Sequence, residues 1–124
     1  MTADPKKTIL VIDDDDVLRE LLESMLKRMG YNVIQAASGD DAIKIAKTRD
    51  IVIDAAMLDL FLPDIRGDRI CPEMKEIHPG LKIILMSGYG LENTDILDIK
   101  INGFFQKPGS YSELEEVLST ALSS

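Results

Sequence analysis

Aspartates, a serine and a lysine stand directly after apolar runs of the sequence. The run TILVI at residues 8–12 is followed by the four aspartates of residues 13–16, and a later apolar run leads to Asp59. Ser87 and Lys107 follow two further runs. Carboxylates that lie close together repel and raise one another's pKa unless a cation compensates them. Mg²⁺ is suited to this, because it takes oxygen ligands and combines one or two carboxylates with waters and phosphate oxygens.

Carboxylates, a hydroxyl and an ammonium group around such an ion are typical of phosphoryl transfer, where positioning and charge neutralisation supply most of the catalysis. Aspartate is a nucleophile for this chemistry and forms an acyl phosphate. We therefore predict Asp59 as the nucleophile. Asp15 and Asp16 are predicted at the cap and first turn of a helix, where negative charge meets the positive end of the helix dipole. A solvated acidic loop is the alternative interpretation of the charge run.

The sequence pattern predicts alternating strands and helices, and these elements would position the aspartates, Ser87 and Lys107. Short apolar runs predict five strands, at residues 8–12, 32–36, 51–58, 82–86 and 104–106. Apolar residues at intervals of three and four, with capping residues, predict five helices, at about 17–29, 38–46, 68–77, 91–101 and 110–122. Strands that alternate with helices of this length must lie parallel, because right-handed crossovers place each helix on a sheet face.

The predicted fold is therefore α/β, a flavodoxin-like (βα)5 three-layer sandwich with a parallel five-stranded sheet in the order 2-1-3-4-5. We expect one domain over residues 1–124, with its core at about 7–122. Ligands of such sheets bind at the carboxyl ends of the strands. The side chains expected at this edge are Asp13, Asp14, Asp59, Ser87 and Lys107.

Composition narrows the function classes. The net charge of −8 argues against direct nucleic-acid binding. No window approaches a membrane span, and the first apolar stretch is too short for a signal peptide, so we expect a cytoplasmic protein. The single cysteine, Cys71, excludes an internal disulfide and is expected on a buried helix face. The single histidine, His78, is expected to be a solvated loop residue.

Four segments resemble, in order and spacing, the signature regions of the receiver domain of two-component response regulators. They are ILVIDDDDVLRELL (9–22), MLDLFLPDIRG (57–67), IILMSGYG (83–90) and GFFQKP (103–108). The resemblance implies a phosphorylation switch of the single-domain type, in which Asp59 accepts a phosphoryl group from a histidine kinase or a histidine phosphotransfer protein. It implies that Asp13, Asp14, Asp59 and the main-chain carbonyl of Phe61 bind Mg²⁺, with Mn²⁺ as an alternative ion.

The resemblance also implies roles around the phosphoryl group. Lys107 would pair with the phosphoryl oxygens, and its peptide bond to Pro108 would be cis. Ser87 and Phe104 would move on phosphorylation and reshape the face made by the helix predicted at 91–101, the fifth strand and the last helix. A downstream target protein or output domain would bind this face, but the sequence does not identify it. The protein would take a phosphoryl group from a donor and lose it again, without turnover of external substrates.

The sequence departs from the family pattern at two glycines. Gly88 stands where alanine is common, which should expose the phosphoryl group, and Gly109 stands where a bulky apolar residue is preferred. The last predicted helix has no Lys or Arg, which disfavours the dimerisation of the winged-helix regulators. Tyr89, Ile96, Phe104 and Tyr111 are candidates for an apolar contact patch.

Three alternatives stay open. The chain could be a receiver excised from a larger response regulator or hybrid kinase, or a constitutive interaction module whose site is unused. A phosphatase of external esters is disfavoured, because no second acid near Asp59 is placed as a general acid.

Overall fold

A computed structural model describes residues 6–48, 50–88 and 101–123 of the chain. The elements in chain order are β1 (Thr8–Ile12), α1 (Asp16–Arg28), β2 (Asn32–Ala36), α2 (Gly39–Ala46), β3 (Ala55–Asp59), α3 (Gly67–Ile77), β4 (Lys82–Ser87), β5 (Gly103–Gln106) and α4 (Tyr111–Leu122). The five strands form one parallel sheet in the order β2-β1-β3-β4-β5, which confirms the predicted fold and strand order. The helix predicted at 91–101 lies, except for residue 101, outside the described residues, as do Tyr89 and Ile96.

The third strand is shorter at its start than the predicted range of 51–58. It begins at Ala55 and extends to Asp59. Its pairing with β1 begins at Ile9 opposite Ala55, one residue after the start of β1. Val52 is 73% exposed and lies before the paired region. The β-branched residues before Ala55 gave a strand pattern, but they have no paired neighbour in the sheet.

Alternation along the strands divides the core into two halves. Leu10 and Leu58 point to the side covered by α2 and α3, whereas Val11 and Met57 point to the side covered by α1 and α4. All four side chains are fully buried. Because successive side chains of a strand point to opposite faces, a strand covered on both faces is apolar throughout. The apolar runs of the sequence are therefore the centre of a three-layer structure.

Side chains fix the start of three helices. The carboxylate of Asp15 accepts a hydrogen bond from the main-chain N–H of Leu18, and Asp16 lies in the first turn of α1. Ser38 caps α2, and Ser110 with Glu113 forms a reciprocal capping box at α4. Such caps satisfy main-chain donors that have no partner within the helix. Asp15 and Asp16 thus belong to the start of α1, as predicted.

His78 lies in the loop after α3, as expected, but it is less solvated than the sequence predicts. His78 is half-buried at the end of α3, and its Nε2 lies 2.8 Å from the main-chain oxygen of Ala46 at the end of α2. This contact joins residues 32 positions apart, so no local pattern indicates it. Cys71 is buried on α3 as predicted, and burial raises the pKa of its thiol to about 12. Within the described ranges, none of the helices is both long and apolar enough to cross a membrane.

Candidate functional site

Lys107 bridges two carboxylates at the carboxyl edge of the sheet. Its Nζ atom lies 2.9 Å from Asp13 Oδ2 and 2.9 Å from Asp59 Oδ2. Asp13 follows β1, Asp59 ends β3, and Lys107 follows β5, so three strands deliver these charges to one place. Both aspartates are buried, and only 15% of the lysine side chain is exposed. Charge-assisted hydrogen bonds of this kind are among the stronger ones in proteins.

Asp14 adds a third carboxylate to this group. One oxygen from each of Asp13, Asp14 and Asp59 lies within 4.8 Å of the others, and Asp14 is exposed. A set of hard carboxylate oxygens that is open to water on one side fits Mg²⁺, which keeps several waters when it binds to proteins. The donor set therefore fits the ion that the sequence predicts.

Burial and hydrogen bonding shift the pKa values of Asp59 and Lys107. Burial raises the pKa of Asp59, although hydrogen bonds from Lys107 and from the Phe61 N–H oppose the shift. Burial acts to lower the pKa of Lys107, but its hydrogen bonds to Asp59 and Asp13 outweigh burial and leave this pKa raised. The raised pKa keeps Lys107 an ammonium group at neutral pH, whereas the burial of Asp59 disfavours its charged form.

The turn after β3 holds Asp59 tightly. The Phe61 N–H donates to Asp59 Oδ1 at 3.1 Å, and the Gly67 N–H donates to the Leu60 carbonyl at 2.8 Å. A Cβ atom built at Gly67 would lie only 2.2 Å from the main-chain oxygen of Asp59. The start of α3 can approach β3 this closely because residue 67 has no side chain.

Ser87 and Phe104 occupy different positions relative to the carboxylates. Ser87 is buried at the end of β4, and its main-chain oxygen accepts a hydrogen bond from the Lys107 N–H at 2.7 Å. Phe104 is half-buried on β5, opposite Leu85, and packs against the core on the α2/α3 side. The peptide bond between Lys107 and Pro108 is cis, the geometry that the resemblance implied.

Gly88 and Gly109, the two glycines at which the sequence departs from the family pattern, have different surroundings. A Cβ atom at Gly109 would lie 2.4 Å from the ring of Phe105, so this buried ring fills the space that a larger residue 109 would need. A Cβ atom at Gly88 would meet no described atom within 4 Å. Phe105 leaves no room for a side chain at position 109, whereas a Cβ atom at position 88 would contact none of the described residues.

The sequence did not predict a role for Arg19, a residue of α1 that contacts the main chain of the acidic loop. Its Nη1 donates to the main-chain oxygen of Asp13 at 2.6 Å. The side chain is only 13% exposed, although the helical pattern of α1 gives an arginine no reason to be buried. The one available signal is the position of Arg19 three residues after Asp16, at ion-pair spacing.

The structure thus places three carboxylates and a lysine at the carboxyl edge of a parallel α/β sheet, where the ligands of such sheets bind. The sequence model of the response regulator receiver domain matches residues 9–119, and the chain belongs to this family.

Solved structures with 27–31% identity share the fold. A CheY-like receiver domain protein from Methanospirillum hungatei is 27% identical, with a TM-score of 0.85 and coverage of 96% of this chain and 95% of that one. The response regulator protein TrrA from Thermotoga maritima, solved in complex with Mg²⁺ and BeF, is 31% identical. Its TM-score is 0.79, and the match covers 91% of this chain and 96% of that one.

Curated relatives include much longer proteins. The autoinducer 1 sensor kinase/phosphatase LuxN of Vibrio campbellii is 29% identical over 116 residues. The match covers 93% of this chain but only 13% of LuxN. The family thus occurs as one part of larger signalling proteins.

Proposed function

We propose that this chain is a phosphorylation-dependent signalling switch in which Asp59 accepts a phosphoryl group in a Mg²⁺-dependent reaction. The donor is a histidine kinase or a histidine phosphotransfer protein, so the switch works in the cytoplasm, where such donors hold their phosphoryl groups. The observation that carries the proposal is the bridge from Lys107 to Asp13 and Asp59, with the Asp14 carboxylate within reach of both.

The reaction is a displacement at phosphorus. An oxygen of Asp59 forms a bond to phosphorus, the bond from phosphorus to the donor imidazole nitrogen breaks, and the imidazole leaves with that electron pair and takes up a proton. The Phe61 N–H holds Oδ1, and Lys107 holds Oδ2. Lys107 then pairs with the phosphoryl oxygens, where negative charge must be compensated.

Mg²⁺, or Mn²⁺ in its place, supplies further charge compensation at the phosphoryl oxygens. Asp13, Asp14, Asp59 and the main-chain oxygen of Phe61 would hold the ion. Attack of water on phosphorus then breaks the bond to the Asp59 oxygen, releases inorganic phosphate, returns the carboxylate and ends the signal. The chain therefore takes part in phosphoryl chemistry without turning over an external substrate.

Exposed apolar side chains near the acidic edge support a protein as the donor. Val17 and Leu21 lie one turn apart on α1, directly after the acidic loop, and are 79% and 51% exposed. Phe61 follows Asp59 by two residues and is 48% exposed. Apolar groups grouped on a surface of this kind mark contact sites for other proteins.

Residues of β4 and β5 would pass the effect of phosphorylation to the surface that binds the downstream partner. Ser87 is joined to Lys107 through the main chain, and Phe104 lies two residues before the end of β5. A phosphoryl group on Asp59 would draw the Ser87 hydroxyl and Lys107 toward it, and Phe104 would move inward with the strand. The surface formed by β5, α4 and the segment before β5 would then favour a different partner, by a shift between existing conformations.

The same switch inside a longer response regulator or hybrid kinase is the second candidate. LuxN, of which the match covers 13%, is an example of such an arrangement. The output of the switch would then be an attached domain instead of a separate partner. A constitutive interaction module with an unused site is less well supported, because it gives no reason for three carboxylates and a lysine at one edge.

Intact-mass measurement after incubation with acetyl phosphate tests the proposal. We expect one phosphoryl group on the wild type with Mg²⁺, and none after chelation of the metal or in Asp59→Asn. Asp41→Asn, at an exposed position on α2, is the matched control and should be phosphorylated as the wild type is. Phosphorylation of Asp59→Asn, or equal phosphorylation without a divalent ion, would contradict the proposal.

A further inference from the structure

The guanidinium group of Arg19 is held at three separate points. Nη1 donates to the main-chain oxygen of Asp13 at 2.6 Å, Nε donates to Gln35 Oε1 at 2.7 Å, and Nη2 donates to Asp16 Oδ1 at 2.6 Å. These partners lie in the loop after β1, in β2 and in the first turn of α1. Because the planar group has its donors in fixed directions, three such contacts leave it one orientation.

The contact with Asp13 fixes a peptide group that carries a metal ligand. The carbonyl of Asp13 and the N–H of Asp14 belong to the same peptide plane. The other side of Asp13 is also held, since its N–H donates to the Ala36 carbonyl at 3.1 Å. Its Oδ1 accepts a hydrogen bond from the Asp15 N–H at 2.9 Å. Asp14 is exposed, so the direction of its carboxylate depends on this main chain.

A second layer of side chains holds Arg19 itself. The Gln35 side-chain amide donates to Glu23 Oε2 while its oxygen accepts from Arg19. Glu23 is also paired with Lys27, at 2.7 Å. The chain of contacts therefore runs from the middle of α1 across β2 to the acidic loop. None of these residues belongs to the carboxylate group around Lys107.

We infer that Arg19 is a positioning residue that orients the peptide between Asp13 and Asp14, and with it the Asp14 carboxylate, for binding of the divalent cation. The inference rests on the proposed function, because it concerns the same metal site. Partners of metal ligands commonly change affinity by tenfold or more when they are removed.

Electrostatics and positioning predict opposite results for removal of Arg19. A positive charge close to an acidic site repels a divalent cation, so loss of the charge alone should tighten binding. If Arg19 fixes the peptide plane, its removal should weaken binding of the cation, although the net charge near the site becomes more negative. The sign of the change in affinity therefore separates the two roles.

Binding of Mn²⁺ to the unphosphorylated protein, followed by the electron paramagnetic resonance signal of the free ion, measures this sign without any phosphoryl chemistry. We expect Arg19→Gln to weaken Mn²⁺ binding by about tenfold. Arg19→Lys, which keeps the charge but cannot reproduce the three contacts, should also weaken it. Arg28→Gln removes the same charge from the last turn of α1 and should leave the affinity unchanged.

Gln35→Met provides a second variant without a change of charge. It removes the acceptor of Arg19 Nε and should weaken Mn²⁺ binding, by less than the loss of Arg19 itself does, because Arg19 keeps its two other contacts. In the double variant the loss should equal that of Arg19→Gln alone, because Gln35 acts through Arg19. If circular dichroism shows that Arg19→Gln does not fold, the Mn²⁺ affinity of Gln35→Met alone tests the positioning role of Arg19.

The outcomes distinguish this inference from the proposed function. Equal or tighter Mn²⁺ binding by Arg19→Gln, or unchanged binding by Gln35→Met, would overturn the positioning role while the metal site stands. A wild type that binds no Mn²⁺, or that binds it no better than Asp14→Asn does, would overturn the metal site and the proposed function with it.

Discussion

The Nζ atom of Lys107 lies 2.9 Å from an oxygen of Asp59, a residue 48 positions earlier in the chain. A second contact of the same length reaches Asp13, which lies 94 positions earlier. The lysine thus balances two buried carboxylates, and the loop after β5 is tied to the ends of β1 and β3. The stability of this edge and its proposed chemistry depend on the same charges.

Replacement of Lys107 by Met should destabilise the metal-free protein by about 1–3 kcal/mol. Removal of one partner of a buried ion pair costs about 3–5 kcal/mol, and this edge is partly open to water, which lowers the cost. Mg²⁺ should restore part of the loss, since it supplies positive charge at the same carboxylates. Urea denaturation with and without Mg²⁺ measures both effects. An exposed-lysine control, Lys44→Met, loses only the exposed pair with Asp40 and should change the unfolding midpoint far less. Equal stability of Lys107→Met and wild type would refute the bridge.

Replacement of Asp59 by Asn should stabilise the metal-free protein at neutral pH. The raised pKa of Asp59 means that the folded protein binds a proton at this carboxyl more tightly than the unfolded chain does. The wild type therefore loses stability as pH rises above the usual value of 3.8 and through the raised pKa, whereas the variant does not. The difference in the free energy of unfolding between the wild type and Asp59→Asn should disappear below pH 3.8.

Urea denaturation from acid to neutral pH, without divalent ions, tests this dependence on Asp59. Mg²⁺ should reduce the difference in stability between the wild type and Asp59→Asn at neutral pH, because it binds the folded wild type more tightly than the folded variant. A wild type that is more stable than Asp59→Asn at neutral pH without metal would show that burial does not disfavour this carboxylate.

Gly67→Ala should be strongly destabilising. Its Cβ atom would lie 2.2 Å from the Asp59 carbonyl oxygen, a main-chain atom that cannot turn away as a side chain can. Overpacking of this kind costs about 1–3 kcal/mol or more. The shift of β3 should also slow phosphorylation by acetyl phosphate. Gly80→Ala, where a Cβ atom meets no described atom within 4 Å, is the matched control. If the two alanines gave the same unfolding midpoint, the close approach of α3 to β3 would be refuted.

Gly88→Ala should leave stability unchanged and lengthen the lifetime of the acyl phosphate. A Cβ atom at this position meets no atom of the described residues within 4 Å, so the methyl group should add cover beside the site without straining them. Less access for water should slow hydrolysis. Loss of the phosphoryl group from purified phosphoprotein, followed by intact mass after the donor is removed, gives the rate. A rate equal to or faster than that of the wild type would contradict the role assigned to this open space.

The fold could be predicted because local patterns and tertiary structure agree. TILVI is apolar on both faces, and β1 is the strand buried between helices on both sides. The strand predicted at 51–58 was wrong at its start, because where pairing begins is set by the neighbouring strand β1, which a local pattern does not contain.

The carboxylate and lysine positions could be predicted because each stands at the end of a parallel strand. Asp13, Asp59 and Lys107 needed only the sheet order to be brought together. Arg19 and His78 could not be found in this way. Their partners, Gln35 and Ala46, are 16 and 32 positions away on other elements, so only the packed structure shows the contacts.

The position of the proposed acyl phosphate on Asp59 can be measured directly. Borohydride reduces an aspartyl phosphate to homoserine, so the protein is treated with acetyl phosphate and Mg²⁺, reduced, digested and sequenced by tandem mass spectrometry. We predict homoserine at position 59 alone, and none when the metal is chelated. Homoserine at Asp13 or Asp14, or a phosphoryl group that yields no homoserine, would contradict the account.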